Sequence, residues 1–177
     1  MEHKIIFAGP VGVGKTTAIS TISDIPVVGT EAKATDATAL LKANTTVAMD
    51  YGILQLDGGG KVHLYGTPGQ ERFSFMWEIL TIGGIGLVLL IDNSREDPLA
   101  DLAFYLDAFK SFIAKNGVVI GVTRMEHHPR PGLYSFHTRL QQLGIHAPVL
   151  EVDPRERGDI KMLLLSLLAV LDPGLRR

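Results

Sequence analysis

The sequence predicts an α/β fold, a three-layer sandwich in which a mostly parallel six-stranded sheet with one antiparallel edge strand carries helices on both faces. Short apolar runs alternate with helix-like segments along the chain, as in parallel sheets. The runs at 86–91 and 118–122 are unbroken apolar stretches, the mark of strands covered on both sides. Only Asp57-Gly58-Gly59-Gly60 joins two strand-like runs directly, so one hairpin and one antiparallel strand are expected.

The elements come in this order. Residues 5–8 are a buried strand ending in a glycine-rich turn, and residues 15–23 read as a helix. Residues 47–56 alternate loosely up to the hairpin turn, and residues 61–65 return as a strand. Residues 71–80 are helix-like and residues 86–91 form a central strand. Pro98 suits the first turn of a helix reaching about residue 113. A strand at 118–122, a helix at 132–143, a strand at 149–152 and an apolar helix at 160–171, stopped near Pro173-Gly174, complete the series. The long connection 24–46 suggests function, with a possible short helix at 31–43. No repeat or linker divides the chain, so a single domain over 1–177 is expected.

Composition narrows the function. Of 177 residues, 46% are hydrophobic and 20% charged, an ordinary globular mix. A net charge of −2 offers no basic field for nucleic acid or an anionic membrane. Without cysteine there are no disulfides, Fe–S clusters or thiolate zinc sites, and a cytoplasmic location is expected. Neither a signal peptide nor a myristoylation or prenylation motif is recognisable, so no direct membrane anchor is expected. The longest apolar stretch, 82–91, is too short to span a bilayer.

The strongest motif is Gly9-Pro10-Val11-Gly12-Val13-Gly14-Lys15-Thr16, which fits G-x-x-x-x-G-K-[ST] between a strand and a helix. This makes the expected fold one of P-loop NTPase type. Glycines let backbone N–H groups curl around phosphate oxygens, and the helix N-terminus adds positive partial charge. Lys15 should reach the β- and γ-phosphates, and the Thr16 hydroxyl should ligate Mg²⁺. Gly9, Val11, Gly12, Val13, Gly14, Lys15, Thr16 and Thr17 are the candidate phosphate-binding residues.

From this motif on, the chain resembles the Ras-like small GTPases over nearly its whole length. Tyr65-Gly66-Thr67-Pro68-Gly69-Gln70-Glu71-Arg72-Phe73 is similar to their switch II segment D-T-A-G-Q-E. The resemblance implies that the Gly69 amide senses the γ-phosphate and that Gln70 orients the attacking water, with Lys15, Gly69 and Gln70 as catalytic residues. Thr46 resembles the switch I threonine that ligates Mg²⁺, with Thr45 as a one-residue alternative. Leu90-Ile91-Asp92-Asn93-Ser94 resembles the Arf-type V-D-S segment. The whole pattern is most similar to bacterial small GTPases, including cell-polarity GTPases and those encoded beside roadblock-type regulators. GTP/GDP and Mg²⁺ are the implied cofactors. The implied protein partners are an effector and a GAP or exchange protein, with a roadblock-type protein as candidate.

Three departures bear on mechanism. Gly66 stands where the family has an aspartate that holds Mg²⁺ through water. Asp92 could compensate, although capping of its own strand end is the simpler reading. Val11 stands where Ras has a glycine facing the γ-phosphate, and the first arginine of the chain is Arg72, so switch I supplies no arginine finger. Slow hydrolysis is expected, completed by a partner or by Arg72. Where the family reads guanine with N-K-x-D, this chain has Thr123-Arg124-Met125-Glu126. A Glu126 carboxylate can accept hydrogen bonds from guanine N1–H and N2–H₂, donors that adenine lacks. Arg124 can lay its stem on the base face. Glu151-Val152-Asp153-Pro154-Arg155 matches the family's S-A-K loop in position only.

The expected function is a GTP-binding switch with slow hydrolysis. A P-loop ATPase or small-molecule kinase is the first alternative, disfavoured by the lack of an arginine-rich lid and by the hairpin after the first helix. A non-hydrolysing nucleotide-binding module is the second. Phe73, Phe75, Met76 and Trp77 crowd one helix, where a one-sided stripe would bury about half and leave the rest for a partner. His127-His128 reads as solvated loop rather than a metal pair.

Overall fold

A computed structural model describes residues 1–33 and 46–172. Among them, seven strands form one sheet in the order β2-β3-β4-β1-β5-β6-β7. β1 (Glu2–Ala8), β4 (Lys61–Gly66), β5 (Gly86–Asp92), β6 (Gly117–Thr123) and β7 (Val149–Glu151) run parallel. β3 (Thr46–Gln55) runs antiparallel to β4 on one side and to β2 (Val28–Lys33) on the other.

The sheet therefore has seven strands where six were expected, and its antiparallel strand lies one in from the edge. The extra strand, β2, comes from the long connection. Glu31 and Lys33, placed by sequence in a possible short helix, pair instead with Ala48 and Thr46. The remainder of that expected helix lies outside the described residues. Pairing satisfies the row of N–H and C=O groups that β3 would otherwise expose. Gly29 and the mixed polarity of this strand hid it from a reading based on alternation.

The helices are α1 (Lys15–Ile22), α2 (Phe75–Thr81), α3 (Pro98–Ala108), α4 (Lys110–Lys115), α5 (Leu133–Gln142) and α6 (Arg157–Leu171), with a 3-10 turn at Glu71–Phe73 leading into α2. They cover both faces, as the alternation along β1 shows. Ile5 and Phe7 pack with Ala18, Ile19 and Ile22 of α1 and with Leu163 and Leu167 of α6. Ile6 and Ala8 face the other way, onto Trp77, Leu102, Leu106, Phe136 and Leu140. Every residue of β5 and β6 is buried, as their unbroken apolar runs required.

Local packing sets the positions of α1 and α3. Gly52 of β3 faces α1 so closely that a Cβ would lie 2.8 Å from Ile19 and Ser23, so glycine lets the helix settle on this strand. The helix expected over 98–113 breaks at Phe109, where φ is −102° and ψ is 13°. The Phe109 ring is buried and stacks on Trp77 at 5.3 Å between centroids. α3 begins as its sequence asks, with Asp97 accepting a hydrogen bond from the Ala100 amide and Pro98 in the first turn.

Candidate functional site

The carboxyl ends of β1, β5, β6 and β7 open on one edge of the sheet, where ligands of parallel α/β sheets bind. The loops leaving β1, β6 and β7 enclose a cleft of about 670 Å³. One wall is Gly12, Val13, Gly14 and Thr17; another is Thr123 to His128; a third is Glu151 to Arg155.

The first wall is built by backbone conformation. Gly9, Gly12 and Gly14 adopt φ of 146°, 76° and 115°, the left-handed region that side chains disfavour. A Cβ at Gly9 would fall 2.3 Å from the Leu90 carbonyl oxygen, and one at Gly14 2.7 Å from the Pro154 ring. Val13 turns its side chain into the core, so it can offer the cleft only its main chain. Val11, by contrast, stands 58% exposed at the tip of the loop.

Lys15 opens α1 and is buried. Its ammonium donates to the carbonyl oxygens of Gly9 at 2.6 Å and Pro10 at 2.9 Å. Burial pulls its pKa from the ordinary 10.5 down to about 8, while the nearby Asp50 carboxylate pushes the other way. The next residue, Thr16, donates its hydroxyl to Asp50 Oδ2 at 2.5 Å. Asp50 lies on β3 and is not a residue that the sequence singles out. Only the pairing of two strands distant from the glycine loop brings it there.

Gly69 arrives from the end of β4. A Cβ on it would lie 2.8 Å from the Val11 nitrogen and 2.9 Å from Lys15 Nζ, so this segment closes directly over the loop. Its course is pinned behind it. The Thr67 amide donates to the Phe7 carbonyl, and the buried Trp77 indole N–H donates to the Pro68 carbonyl at 2.9 Å. The Tyr105 hydroxyl reaches the Gly69 carbonyl at 3.5 Å, and burial raises its pKa above the ordinary tyrosine range. Gln70 comes next with an exposed side chain and is not part of the cleft wall; its carbonyl accepts from the Phe73 amide. Arg72 stacks on Phe73, with its guanidinium carbon 4.8 Å from the ring centre. Thr46 opens β3 opposite Lys33, but its side chain and the alternative Thr45 lie outside the described residues.

At the other end, Arg124 has φ 62° and spans the cleft. Its guanidinium pairs with the buried Asp92 and donates to the Gly12 carbonyl at 2.8 Å. Asp92 is thereby committed, since its other oxygen accepts from both the amide and the hydroxyl of Ser94. Thr123 is buried, while Glu126 lines the cleft with an exposed side chain. Asn93, named only within a motif, fixes this loop. Its side-chain amide donates to the carbonyls of His128 at 2.6 Å and Pro131 at 3.0 Å. On the third wall Arg155 clasps Asp153, which lowers the Asp153 pKa to about 2, and Pro154 packs on Gly14.

Together these groups make a cleft with the main chain of the glycine loop at one end and the Glu126 carboxylate at the other, and the buried Lys15 ammonium and the N-terminus of α1 lie behind that loop. That arrangement can hold a polyanion beside a polar ring. Thr16 and Asp50, outside the cleft wall, bring two hard oxygen atoms together beside Lys15, the donor type that suits Mg²⁺. Among the described residues no three His, Cys, Asp or Glu side chains gather as a metal cage. Magnesium does not require one, because it keeps several waters and uses few protein ligands beside phosphate.

No known family model matches the chain. It is 34% identical over 94 residues to an uncharacterized protein of Methanocaldococcus jannaschii, an alignment covering 53% of each chain. It is 25% identical over 119 residues to the Ras-related protein Rab-18-B of Danio rerio, covering 66% of this chain and 52% of that one. The chain thus spans about half the length of the curated relatives it matches. The second match is a distant similarity to a Ras-related protein and supports, at most, a Ras-like GTPase. No helix among the described residues is long and apolar enough to cross a membrane.

Proposed function

We propose that this chain is a single-domain GTP-binding switch that hydrolyses GTP slowly to GDP and reports its nucleotide state through the segments around Thr46 and Gly69. The observation that carries this reading is the junction of the glycine loop with Gly69. The segment expected to sense the γ-phosphate sits against Val11 and Lys15, where that phosphate would have to enter. A triphosphate would displace Lys15 from the Gly9 and Pro10 carbonyls and push the Gly69 segment outward, so occupancy and shape are coupled.

In this reading the amides of residues 9–16 and Lys15 hold the phosphates, Thr17 borders them, and Thr16 and Thr46 ligate Mg²⁺. The metal would neutralise charge on the β- and γ-phosphates. Arg124 lies along the base with Thr123 behind it, and Glu126 accepts from the guanine edge. Gln70 orients the attacking water only after the Gly69 segment moves, because its side chain now faces solvent. Slow turnover would result from the outward-facing Gln70, from Val11 at the loop tip and from the engagement of Arg72 with Phe73.

A protein partner would act on the Gly69 segment, beside which Phe75 and Ile79 of α2 and the adjoining Ile82 stand exposed while Phe73, Trp77 and Leu80 are buried. The candidate partners are a GAP, an exchange factor or an effector, with a roadblock-type protein as the candidate for a bacterial-type GTPase.

The test is the nucleotide content of purified protein, read by ion-exchange chromatography, together with single-turnover hydrolysis. GDP or GTP should be recovered, with a turnover near or below about 10⁻³ s⁻¹ that falls further in Gln70→Ala. Recovery of adenine nucleotide alone, or a rate near 1 s⁻¹ untouched by Gln70→Ala, would refute the proposal.

A further inference from the structure

The resemblance to small GTPases leaves a gap at Gly66, where the family keeps the aspartate that holds magnesium through water. β3 and β4 are antiparallel, and Asp50 is the residue directly opposite Gly66. Directly opposed residues in an antiparallel pair project from the same face of the sheet, with Cβ atoms about 4.5–5.5 Å apart. A side chain at 50 can therefore reach what a side chain at 66 would reach.

The space between them supports the equivalence. A Cβ built on Gly66 would lie 3.2 Å from Asp50 Cβ and 3.3 Å from Asp50 Oδ2, with Ile19 of α1 at 3.1 Å. The carboxylate of residue 50 thus stands beside the volume into which an aspartate at 66 would grow. From there it accepts the Thr16 hydroxyl at 2.5 Å, and its charge is felt at Lys15. Gly66 and Asp50 are complementary: the glycine leaves room for the carboxylate across the ladder.

We infer that Asp50 is the magnesium-positioning carboxylate of this protein, moved from β4 to its antiparallel neighbour β3, with Gly66 kept small to admit it. Asp50 accepts the Thr16 hydroxyl, and from the same place its carboxylate would help to hold the magnesium of a bound nucleotide. The carboxylate then sits on the strand that begins at Thr46, so the metal site draws on two positions of the first half of β3. The inference rests on the proposed nucleotide function and adds to it a residue that neither the motif nor the comparisons assign.

The test measures release of a fluorescent GDP analogue from the full chain at buffered free Mg²⁺ concentrations. Asp50→Asn keeps an oxygen acceptor for Thr16 but loses the charge. It should raise the Mg²⁺ concentration that half-slows release by about tenfold or more, each variant being referred to its own rate in excess EDTA. The exchange Asp50→Gly/Gly66→Asp should recover most of the magnesium response that Asp50→Gly loses, because it returns one carboxylate to the same place. Circular dichroism shows whether each variant is folded. A variant that fails to fold is replaced by Gly66→Asp alone, which sets two carboxylates side by side and should alter the Mg²⁺ response; an unaltered response overturns the inference. Wild-type magnesium dependence in Asp50→Asn means that Asp50 only props Thr16 and overturns this inference alone. An exchanged protein as impaired as Asp50→Gly does the same. A wild-type chain that holds no guanine nucleotide at any Mg²⁺ concentration overturns the proposed function and this inference together.

Discussion

Residues 9–16, at one end of the cleft, and residues 123–126, at the other, keep their shapes by different means. The first loop is held by glycine conformations and by close main-chain approaches, at Gly9 to the Leu90 carbonyl and at Gly14 to Pro154. The second is held by side chains: Arg124 pairs with Asp92 and reaches the Gly12 carbonyl, and Asn93 ties the adjoining loop through His128 and Pro131. A backbone-built site has few sequence solutions, because few residues reach those φ values. A side-chain-built site has many, because different side chains can span the same gap. The difference explains why residues 9–16 read as a clear motif and residues 123–126 do not.

The largest effect should come from Lys15→Ala. A buried ammonium beside the phosphates would be lost, and triphosphate affinity should fall by about a hundredfold or more, measured by fluorescent-nucleotide titration. Unchanged affinity would move the phosphate site elsewhere.

The protonation of Lys15 sharpens the same point. Its pKa is about 8, against 10.5 ordinarily, because the group is buried. Between those values the unfolded chain binds more protons than the folded one, so the lysine's contribution makes the nucleotide-free protein more stable as pH rises through that window. Phosphate charge favours the protonated form, so above pH of about 8 nucleotide binding must take up a proton. Affinity should then fall by up to about tenfold per pH unit in the wild type and lose that dependence in Lys15→Ala.

Two glycines of the first loop separate strain from collision. Gly14→Ala meets both a φ of 115° and the Pro154 ring at 2.7 Å, whereas Gly12→Ala meets a φ of 76° in open space. Urea unfolding should show Gly12→Ala losing about 1–2 kcal/mol and Gly14→Ala losing more. Equal losses would mean that Pro154 yields freely and that the third wall does not brace the loop.

The last of these effects belongs to the side-chain-built end and touches specificity rather than overall affinity. Glu126→Ala should reduce the preference for GTP over ATP by about 1–3 kcal/mol, compared by competition titration. Arg124 and Asn93 would still hold the loop, so phosphate-driven affinity should be largely kept. A preference that survives the substitution would assign base reading to another group.

Much of the architecture was legible in the sequence. The unbroken runs of β5 and β6 and the glycine turn of the hairpin determined most of the sheet, because burial on both faces leaves little choice of residue. β2 was not legible, because an edge strand needs only backbone pairing and Val28-Gly29-Thr30-Glu31-Ala32-Lys33 shows no clear alternation. The helix break at Phe109 was hidden too; no proline or glycine marks it, and the Phe109 ring stacks on Trp77 more than thirty residues away. Within the site, Lys15 and the glycines announced themselves through local spacing. Asp50 did not, because its place beside Thr16 comes from the register of β3 against β4. The bond of Trp77 to Pro68 and the grip of Asn93 are likewise products of tertiary structure.

The most direct test of the central claim is calorimetric titration of nucleotide-free protein with GTP and with ATP, both in Mg²⁺. Tight one-to-one binding of GTP, with ATP weaker by about tenfold or more, is the result the cleft predicts. Equal affinity for the two nucleotides, or binding of neither, would contradict the assignment of this cleft to a guanine-nucleotide switch.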